Sequence, residues 1–469
     1  MAREDFRSRG ADPKLAAIME ARKNENREGF TLIASANHPH PDDIAAARDA
    51  EDATFEGMYA EGYPSPKGPK QGRYYEGTAQ ADALESMTRE RVVQVFGAQM
   101  PQKGMELGSN VQVPTGAGVN LSVYFSLMKL GDRMVAPSLS HGYGHLSHGA
   151  ESPNIVGKLF EVHGYGVRRE TGFIDYEALE KLVRKKKPRM VVAGASSYPQ
   201  DIDWGRIAAV ANEVGAISMA DISHPAGLIV AGLLKDPFSL GIDVVTSTTH
   251  KTLRGKKGAV VIWNREAVEK KCPEGSSSLA KANIDYGVFP GIWGGPNMST
   301  IAAHASTFRR AQTEEFRAEQ RATLANAAVL ARVLKENGWD IITGGTANHL
   351  VLIDVTTHAK ARNDATRDGW QAAVMLEEAG LVVNKNAIPE RTNIRDTKGD
   401  VKKATPFRPA GIRLGTPAVT ARGLGVKEVE QLGQWVHEVL LYAEDRTKIA
   451  AIRDEVRKMA LRFPVPSYR

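Results

Sequence analysis

Between residues 82 and 264 the chain alternates short apolar runs with longer stretches whose apolar residues recur at helical spacing. The runs are rich in valine, isoleucine and alanine, a composition typical of buried strands. They predict strands over 133–139, 158–167, 189–196, 216–223, 242–248 and 258–264, and the stretches between predict helices over 83–97, 120–132, 175–187 and 203–215. Strands separated by helices predict an α/β fold, with a largely parallel sheet covered on both faces.

The two ends of the chain follow different patterns. A predicted helix over 13–27 is followed by a proline-containing stretch without a core of its own, which indicates an N-terminal arm over residues 1–45. A long helical pattern over 298–338 predicts two helices or one kinked helix, and a shorter alternation of strands and helices follows it. We therefore predict a large α/β domain over 46–310 and a smaller α+β domain over 311–469.

Composition narrows the class of protein. The chain has 469 residues, of which 42% are hydrophobic, and no run approaches the ~18 apolar residues of a membrane span. Its mixed-charge start is unlike a signal peptide, so we expect a cytoplasmic protein. Cys272 is the only cysteine, which excludes an intrachain disulfide. The net charge of +6 is scattered, and its densest run, 184–189, closes a predicted helix, so we expect no nucleic-acid partner.

The stretch 244–258 places a lysine directly after a buried apolar run. The run leads into Thr248 and His250, and Lys251 follows. A lysine at the mouth of a sheet is desolvated, which makes its free amine available for imine chemistry. The alternative is a solvated basic loop, in which Lys251 and the basic residues after it lie in water.

Other predicted strand ends also carry polar residues. A turn at Thr115, Gly116 and Ala117 precedes a helix and offers backbone N–H groups to a phosphate. Further ends carry Ser196, Asp221 and His224, and a histidine-rich turn carries His141, His145 and His148. Because ligands of such sheets bind at the carboxyl ends of strands, these groups are expected to converge. A phosphate cradle, a ring-sized histidine, a buried acid and a buried lysine are the parts that hold pyridoxal phosphate.

Three further features bear on the site. A metal centre at the three histidines is the alternative to pyridoxal phosphate, but the glycine-rich spacing and the lack of a nearby carboxylate pair disfavour it. The Gly-, Pro- and Tyr-rich stretch 58–77 predicts a binding loop. Arg413, between small residues, could hold a carboxylate with two hydrogen bonds, the alternative being a structural arginine.

Several motifs together resemble the serine hydroxymethyltransferase family. They occur in the family's order from about residue 30 to residue 425: LIAS (32–35), YAEGYP (59–64), GRYYEG (72–77), GHLSHG (144–149), ADISH (220–224), TSTTHKTLRG (246–255), FPGIWGGP (289–296), GGTANHL (344–350) and GIRLGTPA (411–418). The resemblance implies a fold-type I, aspartate aminotransferase-like enzyme that uses pyridoxal phosphate, with tetrahydrofolate as co-substrate. It also implies a homodimer, or a tetramer of dimers, with active sites shared across the interface.

The resemblance assigns roles to individual residues. Lys251 is similar to the Schiff-base lysine, Asp221 to the partner of the ring nitrogen, His145 to the stacking histidine and His224 to the histidine beside the cofactor oxygen. The cofactor site is completed by Thr115, Gly116, Ala117, Ser196, Thr248 and His250, with Gly294 and Gly295 reaching the neighbouring subunit's phosphate. The substrate site is Arg413, Ser35, Tyr74, Tyr75, Glu61 and Asn348, and Glu61, Tyr59 and Tyr75 join Lys251 and His145 as catalytic residues.

Some positions depart from the family pattern. Ala36 lacks a carboxylate, Ala117 and Gly118 lack a hydroxyl and an amide, Lys256 and Lys257 replace a Pro-Arg pair, Trp293 replaces glutamine, and Tyr143 is inserted in the histidine-rich turn. The loop after residue 64 is also extended. In the family, the histidine-rich turn and this loop border the folate and substrate entrance.

Three functions follow. The first is hydroxymethyl transfer between serine, or an α-substituted serine, and tetrahydrofolate. The second is a folate-independent aldolase or transaldolase acting on a threonine-like substrate, which the departures motivate. The third is a non-catalytic regulatory paralogue, against which Lys251, Asp221 and Arg413 argue. Glu61, Tyr74, Tyr75 and Asn348 favour the first function.

Overall fold

A computed structural model describes residues 12–65, 72–98, 105–141, 143–149, 154–273, 283–358, 368–389, 391, 393–395 and 401–468. The strands are β1 (Phe30–Thr31), β2 (Leu107–Asn110), β3 (Arg133–Pro137), β4 (Glu161–Tyr165), β5 (Met190–Gly194), β6 (Ile217–Asp221), β7 (Val244–Thr248), β8 (Ala259–Asn264), β9 (Asp340–Ile341), β10 (Leu350–Asp354), β11 (Leu381–Val382), β12 (Asn384–Asn386), β13 (Asn393–Arg395), β14 (Val401–Lys403) and β15 (Gly411–Gly415). The helices are α1 (Pro13–Glu28), α2 (Pro41–Asp52), α3 (Ala79–Gly97), α4 (Gly116–Leu127), α5 (Val156–Leu159), α6 (Tyr176–Lys186), α7 (Trp204–Glu213), α8 (Ala226–Val230), α9 (Arg265–Lys271), α10 (Ile284–Tyr286), α11 (Met298–Arg310), α12 (Glu314–Glu336), α13 (Gly369–Glu378), α14 (Pro417–Ala421), α15 (Val426–Leu441) and α16 (Arg446–Arg462).

The larger sheet has seven strands in the order β2-β8-β7-β6-β5-β3-β4. The strands from β3 to β7 run parallel to their neighbours, and β8 and β2 are antiparallel additions at one edge. The six predicted strands of this region and the α/β class are thereby confirmed. In the registers, Asp221 pairs with Gly194 on one side and with Thr246 on the other, which brings the carboxyl ends of three strands together.

Strand β2 was not predicted, because its sequence, LGSN, has no apolar alternation. It forms through antiparallel pairing with β8, in which Ser109 lies opposite Ile262. Tertiary pairing therefore creates a strand that the local propensity does not favour.

Helix α4 begins at Gly116 because the hydroxyl of Thr115 accepts a hydrogen bond from the backbone N–H of Gly118, at 3.1 Å. This is the geometry of an N-cap, and it satisfies one of the N–H groups that a helix start leaves open. The predicted turn thus opens a helix whose first residues lie at the carboxyl end of the sheet.

A second, four-stranded sheet has the order β12-β15-β10-β9. It shares one hydrophobic core with parts of α12, α13, α15 and α16. The long helical pattern before it forms two helices, α11 and α12, which is one of the two predicted arrangements. Thr313 is the N-cap of α12. The segment β1 pairs with β11, so part of the N-terminal arm lies against the C-terminal region, while the predicted domain boundaries stay a prediction.

The two sheets meet at the segment after β5. The backbone N–H of Ala347 donates to the carbonyl of Pro199 at 2.8 Å, and the side chain of Arg413 donates to the carbonyl of Ser196. The carboxyl end of the large sheet therefore faces β15 of the smaller one. Within the described ranges, no helix combines the length and apolarity needed to cross a membrane.

Candidate active site

Lys251 lies in the tight turn that follows β7. Its backbone carbonyl accepts hydrogen bonds from the side chain of Asn37 at 2.8 Å and from the N–H of Arg254 at 3.0 Å, so the arm helps to shape the turn. The residue is only 9% exposed. Burial, with a smaller contribution from the charge of Arg413, lowers the pKa of Lys251 to about 8, although Asp221 opposes the shift. Lys251 is therefore a buried amine, and the alternative of a solvated loop cation is wrong.

Asp221 ends β6 and lines the same cavity as Lys251. Its carboxylate accepts hydrogen bonds from Asn120 Nδ2 at 2.9 Å and from the N–H of Ser223 at 3.0 Å, and His148 Nε2 lies 3.4 Å away. Burial alone favours the neutral acid, but His148 and the charge of Lys251 outweigh it and hold the pKa of Asp221 well below its usual range. The site therefore contains a buried, ionised carboxylate.

A polar network that was not predicted supports His145. Ser147 Oγ lies 2.7 Å from His145 Nδ1 and accepts a hydrogen bond from Asn120 Nδ2 at 2.9 Å. The hydroxyl of Thr246 donates to Asn120 Oδ1 at 2.7 Å. Burial and the nearby charge of His148 lower the pKa of His145 to about 4, so its ring is neutral at pH 7. The sequence did offer one indication that Asn120 faces the site, because Asn120 lies one helical turn after Gly116.

The start of α4 offers an anion site. The N–H of Gly118 donates to Thr115, whereas the N–H groups of Gly116 and Ala117 have no hydrogen-bond partner among the described residues. A Cβ atom on Gly116 would lie 2.7 Å from Cγ2 of Thr248, so only glycine fits where the helix start meets β7. Two free N–H groups at the positive end of a helix dipole are suited to a phosphate.

His224 forms a buried pair with His349, a residue that was not predicted. His224 Nδ1 lies 3.2 Å from His349 Nε2, and the ring centroids are 5.4 Å apart. Burial, followed by the charges of Lys251 and Arg413, lowers the pKa of His224 well below its usual value, and burial and the same charges lower the pKa of His349 to about 3. Both rings are neutral at pH 7, so they can transmit a hydrogen bond without adding charge.

Arg413 lies on β15 and faces the end of β5. Its Nε donates to Asn384 Oδ1 at 3.1 Å and its Nη1 donates to the carbonyl of Ser196, whereas Nη2 has no hydrogen bond to a described residue. Burial lowers the pKa of Arg413 to about 10, so the group stays charged at pH 7. Two residues further along β15, the backbone N–H of Gly415 donates to the carbonyl of Leu32 at 2.7 Å. This bond brings the segment that carries Ser35 to the same end of the strand.

A cavity joins several of these groups. It is lined by Gly116, His145, His148, Ala195, Ser196, Asp221, Ser223, His224, Thr248 and Lys251. Seven of the ten were predicted site residues. His250 is half-buried and does not line the cavity, while His141 is exposed, so the three histidines of the turn do not converge on one point.

The remaining predicted residues form a separate group. The rings of Tyr59 and Tyr75 are 5.3 Å apart, and the N–H of Tyr74 donates to the carbonyl of Glu61 at 3.0 Å. The Glu61 side chain lies beside Gly295, with its Cγ 3.5 Å from the position a Cβ there would take. Neither this cluster nor the adjacent Gly294 lines the cavity at Lys251. Within this chain the predicted site thus falls into two groups, and part of the extended loop lies outside the described residues.

Asn348 has a structural task in this chain. Its Nδ2 donates to the carbonyls of Tyr198 at 3.0 Å and Gln200 at 3.2 Å, and its Oδ1 accepts from the N–H of Leu350 at 3.0 Å. These bonds fix the segment after Ser196, so contact of Asn348 with a substrate stays a prediction.

Tyr143 is built into the core beside the cavity. It is 2% exposed, its hydroxyl donates to the carbonyl of Gly172 at 2.9 Å, and its ring lies 5.4 Å from that of Tyr198. Its carbonyl accepts the N–H of Ser196 at 2.9 Å. Tyr143 therefore supports the segment after β5, whose Ser196 carbonyl accepts a hydrogen bond from Arg413.

The cavity fits pyridoxal phosphate on three observations. The N–H groups of Gly116 and Ala117 are open to an anion, Asp221 supplies a buried carboxylate for a protonated ring nitrogen, and Lys251 supplies an amine. The fold and the site together define a pyridoxal-phosphate-dependent enzyme of fold type I.

Comparison with known proteins narrows this class. A sequence profile described as serine hydroxymethyltransferase matches residues 9–436. The chain is 38% identical over 456 residues to a serine hydroxymethyltransferase of Methylococcus capsulatus, and 37% identical over 454 residues to one of Methanospirillum hungatei, in each case over 97% of both chains. The chain belongs to the serine hydroxymethyltransferase family. Membership confirms the predicted fold type, the pyridoxal phosphate cofactor and the tetrahydrofolate co-substrate of that family.

Proposed function

We propose that this protein is an enzyme that transfers a hydroxymethyl group between serine and tetrahydrofolate with the help of pyridoxal phosphate. The observation that carries the proposal is the buried amine of Lys251, which shares one cavity with the ionised carboxylate of Asp221. Family membership supports the same activity. It does not favour the aldolase or the non-catalytic paralogue.

The cofactor, when bound, draws electrons away from the substrate's Cα atom, so that the bond to Cβ can break or form. Lys251 would supply the amine that holds the cofactor covalently and that the substrate amine would replace. Asp221 would keep a proton on the ring nitrogen, because its carboxylate is charged and buried. Gly116 and Ala117 would hold the phosphate through their backbone N–H groups, and His145 would stack on the ring.

Arg413 holds the carboxylate of the amino acid. Its guanidinium stays charged in a buried position, and its Nη2 makes no hydrogen bond to a described residue. A carboxylate can therefore complete its hydrogen bonds. We expect Ser35 to join it, because the nearby Leu32 accepts a hydrogen bond from Gly415 on the same strand as Arg413.

The second group of residues acts across a subunit interface. Tyr59, Glu61, Tyr75 and the Gly294–Gly295 loop lie together but apart from the cavity of their own chain. We infer a homodimer in which this group completes the site of the other subunit. There Glu61, or a water that it positions, takes the proton of the β-hydroxyl, and the two glycines add N–H groups to the phosphate site.

The test is an assay of serine, α-methylserine and threonine cleavage, each with and without tetrahydrofolate. We expect serine cleavage to require tetrahydrofolate, and the variant K251A to abolish the absorption band of the imine between lysine and cofactor along with activity. Turnover that is independent of folate for every substrate would contradict the proposal and favour the aldolase. A protein that takes up no cofactor would contradict both.

Location in the cytoplasm is a further proposal. The single cysteine, Cys272, is buried and accepts a hydrogen bond from Arg189 Nη2 at 3.0 Å, so it serves packing and forms no intrachain crosslink. Small or strained secreted folds rely on disulfides, whereas a large core like this one does not need them.

A further inference from the structure

Trp293 lies directly against the first turn of α4. A Cβ atom on Gly118 would lie 2.2 Å from Cζ2 of the indole and 2.9 Å from its Cη2. Both distances are shorter than any van der Waals contact between carbon atoms. With Trp293 in this place, position 118 therefore accepts glycine and no other residue unless the ring or the helix moves.

The indole is fixed where it lies. Its Nε1 donates a hydrogen bond to Ser122 Oγ at 3.0 Å, and that hydroxyl donates to the carbonyl of Gly118 at 2.9 Å. The backbone N–H of Trp293 donates to the carbonyl of Val288 at 2.8 Å. Moving the ring away from Gly118 breaks the first of these bonds, so the contact is not a loose one.

The contact links two parts of the proposed cofactor site. On one side, the same helical turn presents the N–H groups of Gly116 and Ala117. On the other side, Trp293 immediately precedes the Gly294–Gly295 loop. One side chain therefore holds the start of α4 and the beginning of the glycine loop in a fixed relation.

We propose that Trp293 and Gly118 form a matched pair that positions the first turn of α4 for the cofactor phosphate, with Trp293 as a positioning residue. The inference rests on the proposed function, in which that turn binds the phosphate. It adds two residues that no phosphate contact requires: the glycine makes room for the ring, and the ring fixes the turn.

A double-mutant cycle tests the pair. The variants are G118A, W293Q and the double variant, because glutamine is flexible and can turn away from a methyl group while still reaching Ser122. We expect G118A alone to weaken binding of pyridoxal phosphate to the apoprotein by about tenfold, and to weaken it by less than about threefold in the W293Q background. Affinity for pyridoxal, which lacks the phosphate, should change by less than about twofold in every variant.

Matched controls separate this pair from general effects of the substitutions. Gly57 has no atom within 4 Å of an added Cβ, and Trp370 is 43% exposed, so G57A and W370Q should leave both affinities unchanged. If G118A fails to fold, the double variant carries the test: the apoprotein of the double variant must fold, with the Tm of W293Q.

Additive effects of the two substitutions would overturn the proposal, as would an equal loss of affinity for pyridoxal and its phosphate. A double variant that stays unfolded would overturn it too. The proposed function fails in a different way, when the wild-type protein binds no pyridoxal phosphate or binds it equally well after K251A. If pyridoxal phosphate binding depends on Lys251 but the effects of G118A and W293Q are additive, only the proposed pairing of Trp293 with Gly118 is refuted.

Discussion

Lys251 illustrates how burial prepares a single side chain for chemistry. At pH 7 most lysines are fully protonated, but desolvation lowers the pKa of Lys251 to about 8. Asp221 opposes the shift and Arg413 adds to it, so the value reflects a balance among charges in one cavity. An amine of this kind is partly neutral near physiological pH, which is what imine formation needs.

This value predicts the pH dependence of cofactor uptake. Because only the neutral amine attacks the cofactor aldehyde, the rate at which the apoprotein binds pyridoxal phosphate should rise with pH and level off above a midpoint near the pKa of Lys251, about 8. Stopped-flow absorbance between acidic and alkaline pH measures the rate. A midpoint near the ordinary lysine value of ~10.4 would contradict the burial argument.

Replacing Arg413 tests its role in substrate binding. The variant R413K keeps the charge but loses the planar donor geometry. KM for serine should therefore rise by about tenfold to a hundredfold, because one or two charged hydrogen bonds are lost. Steady-state kinetics measure it. The exposed Arg332 supplies a control, since R332K alters only surface ion pairs. An unchanged KM in R413K would show that Arg413 is purely structural.

At the scale of elements, the site depends on one helix joined to the ends of strands. Asn120 on α4 bonds to Asp221 on β6 and to Thr246 on β7, and it reaches Ser147 in the histidine-rich turn. A buried amide that satisfies three partners holds these elements in register, because each lost bond would leave a polar group without water.

Asn120→Ala therefore tests whether this network stabilises the fold. Removing the amide leaves buried polar groups short of partners, and we expect the free energy of unfolding of the apoprotein to fall by about 1–3 kcal/mol. Urea unfolding measures the loss. The matched control is Asn212→Ala, whose amide makes an exposed bond to Lys271, and it should cost under about 0.5 kcal/mol. Equal effects of the two substitutions would contradict a structural role for the network.

The elements also show what the sequence can predict. The strand before Lys251 was predictable because a run of β-branched residues is typical of a buried strand. The polar residues at its carboxyl end could be read directly from the order of the chain. Strand β2 was not, since pairing with β8 creates it. His349 was missed because its partner, His224, is distant in sequence, and no local pattern marks a hydrogen bond of that kind.

At the scale of the whole molecule, the predicted site divides into two groups. Chain order could not reveal this division, because Tyr59 and Glu61 carry no local signal of which cavity they serve. The structure places them beside Gly295, away from Lys251, and the proposed homodimer accounts for that placement. Sharing a site across an isologous interface makes each subunit inactive alone.

Mixing two inactive variants tests the shared site. K251A and E61Q each lack one group, but a mixed dimer contains one site with both Lys251 and Glu61 intact. After the two proteins are unfolded together and refolded, the mixture should recover about a quarter of wild-type activity, because half of the dimers are mixed and each has one complete site. A mixture no more active than its parts would place both residues in the same subunit's site.

The central claim is that Lys251 is the amine that holds the cofactor. The most direct measurement is to load the protein with pyridoxal phosphate, reduce the imine with borohydride, digest the product and locate the modified lysine by mass spectrometry. We predict a single pyridoxyl group on Lys251. Modification of Lys256 or Lys257 instead, or of no lysine, would contradict the account.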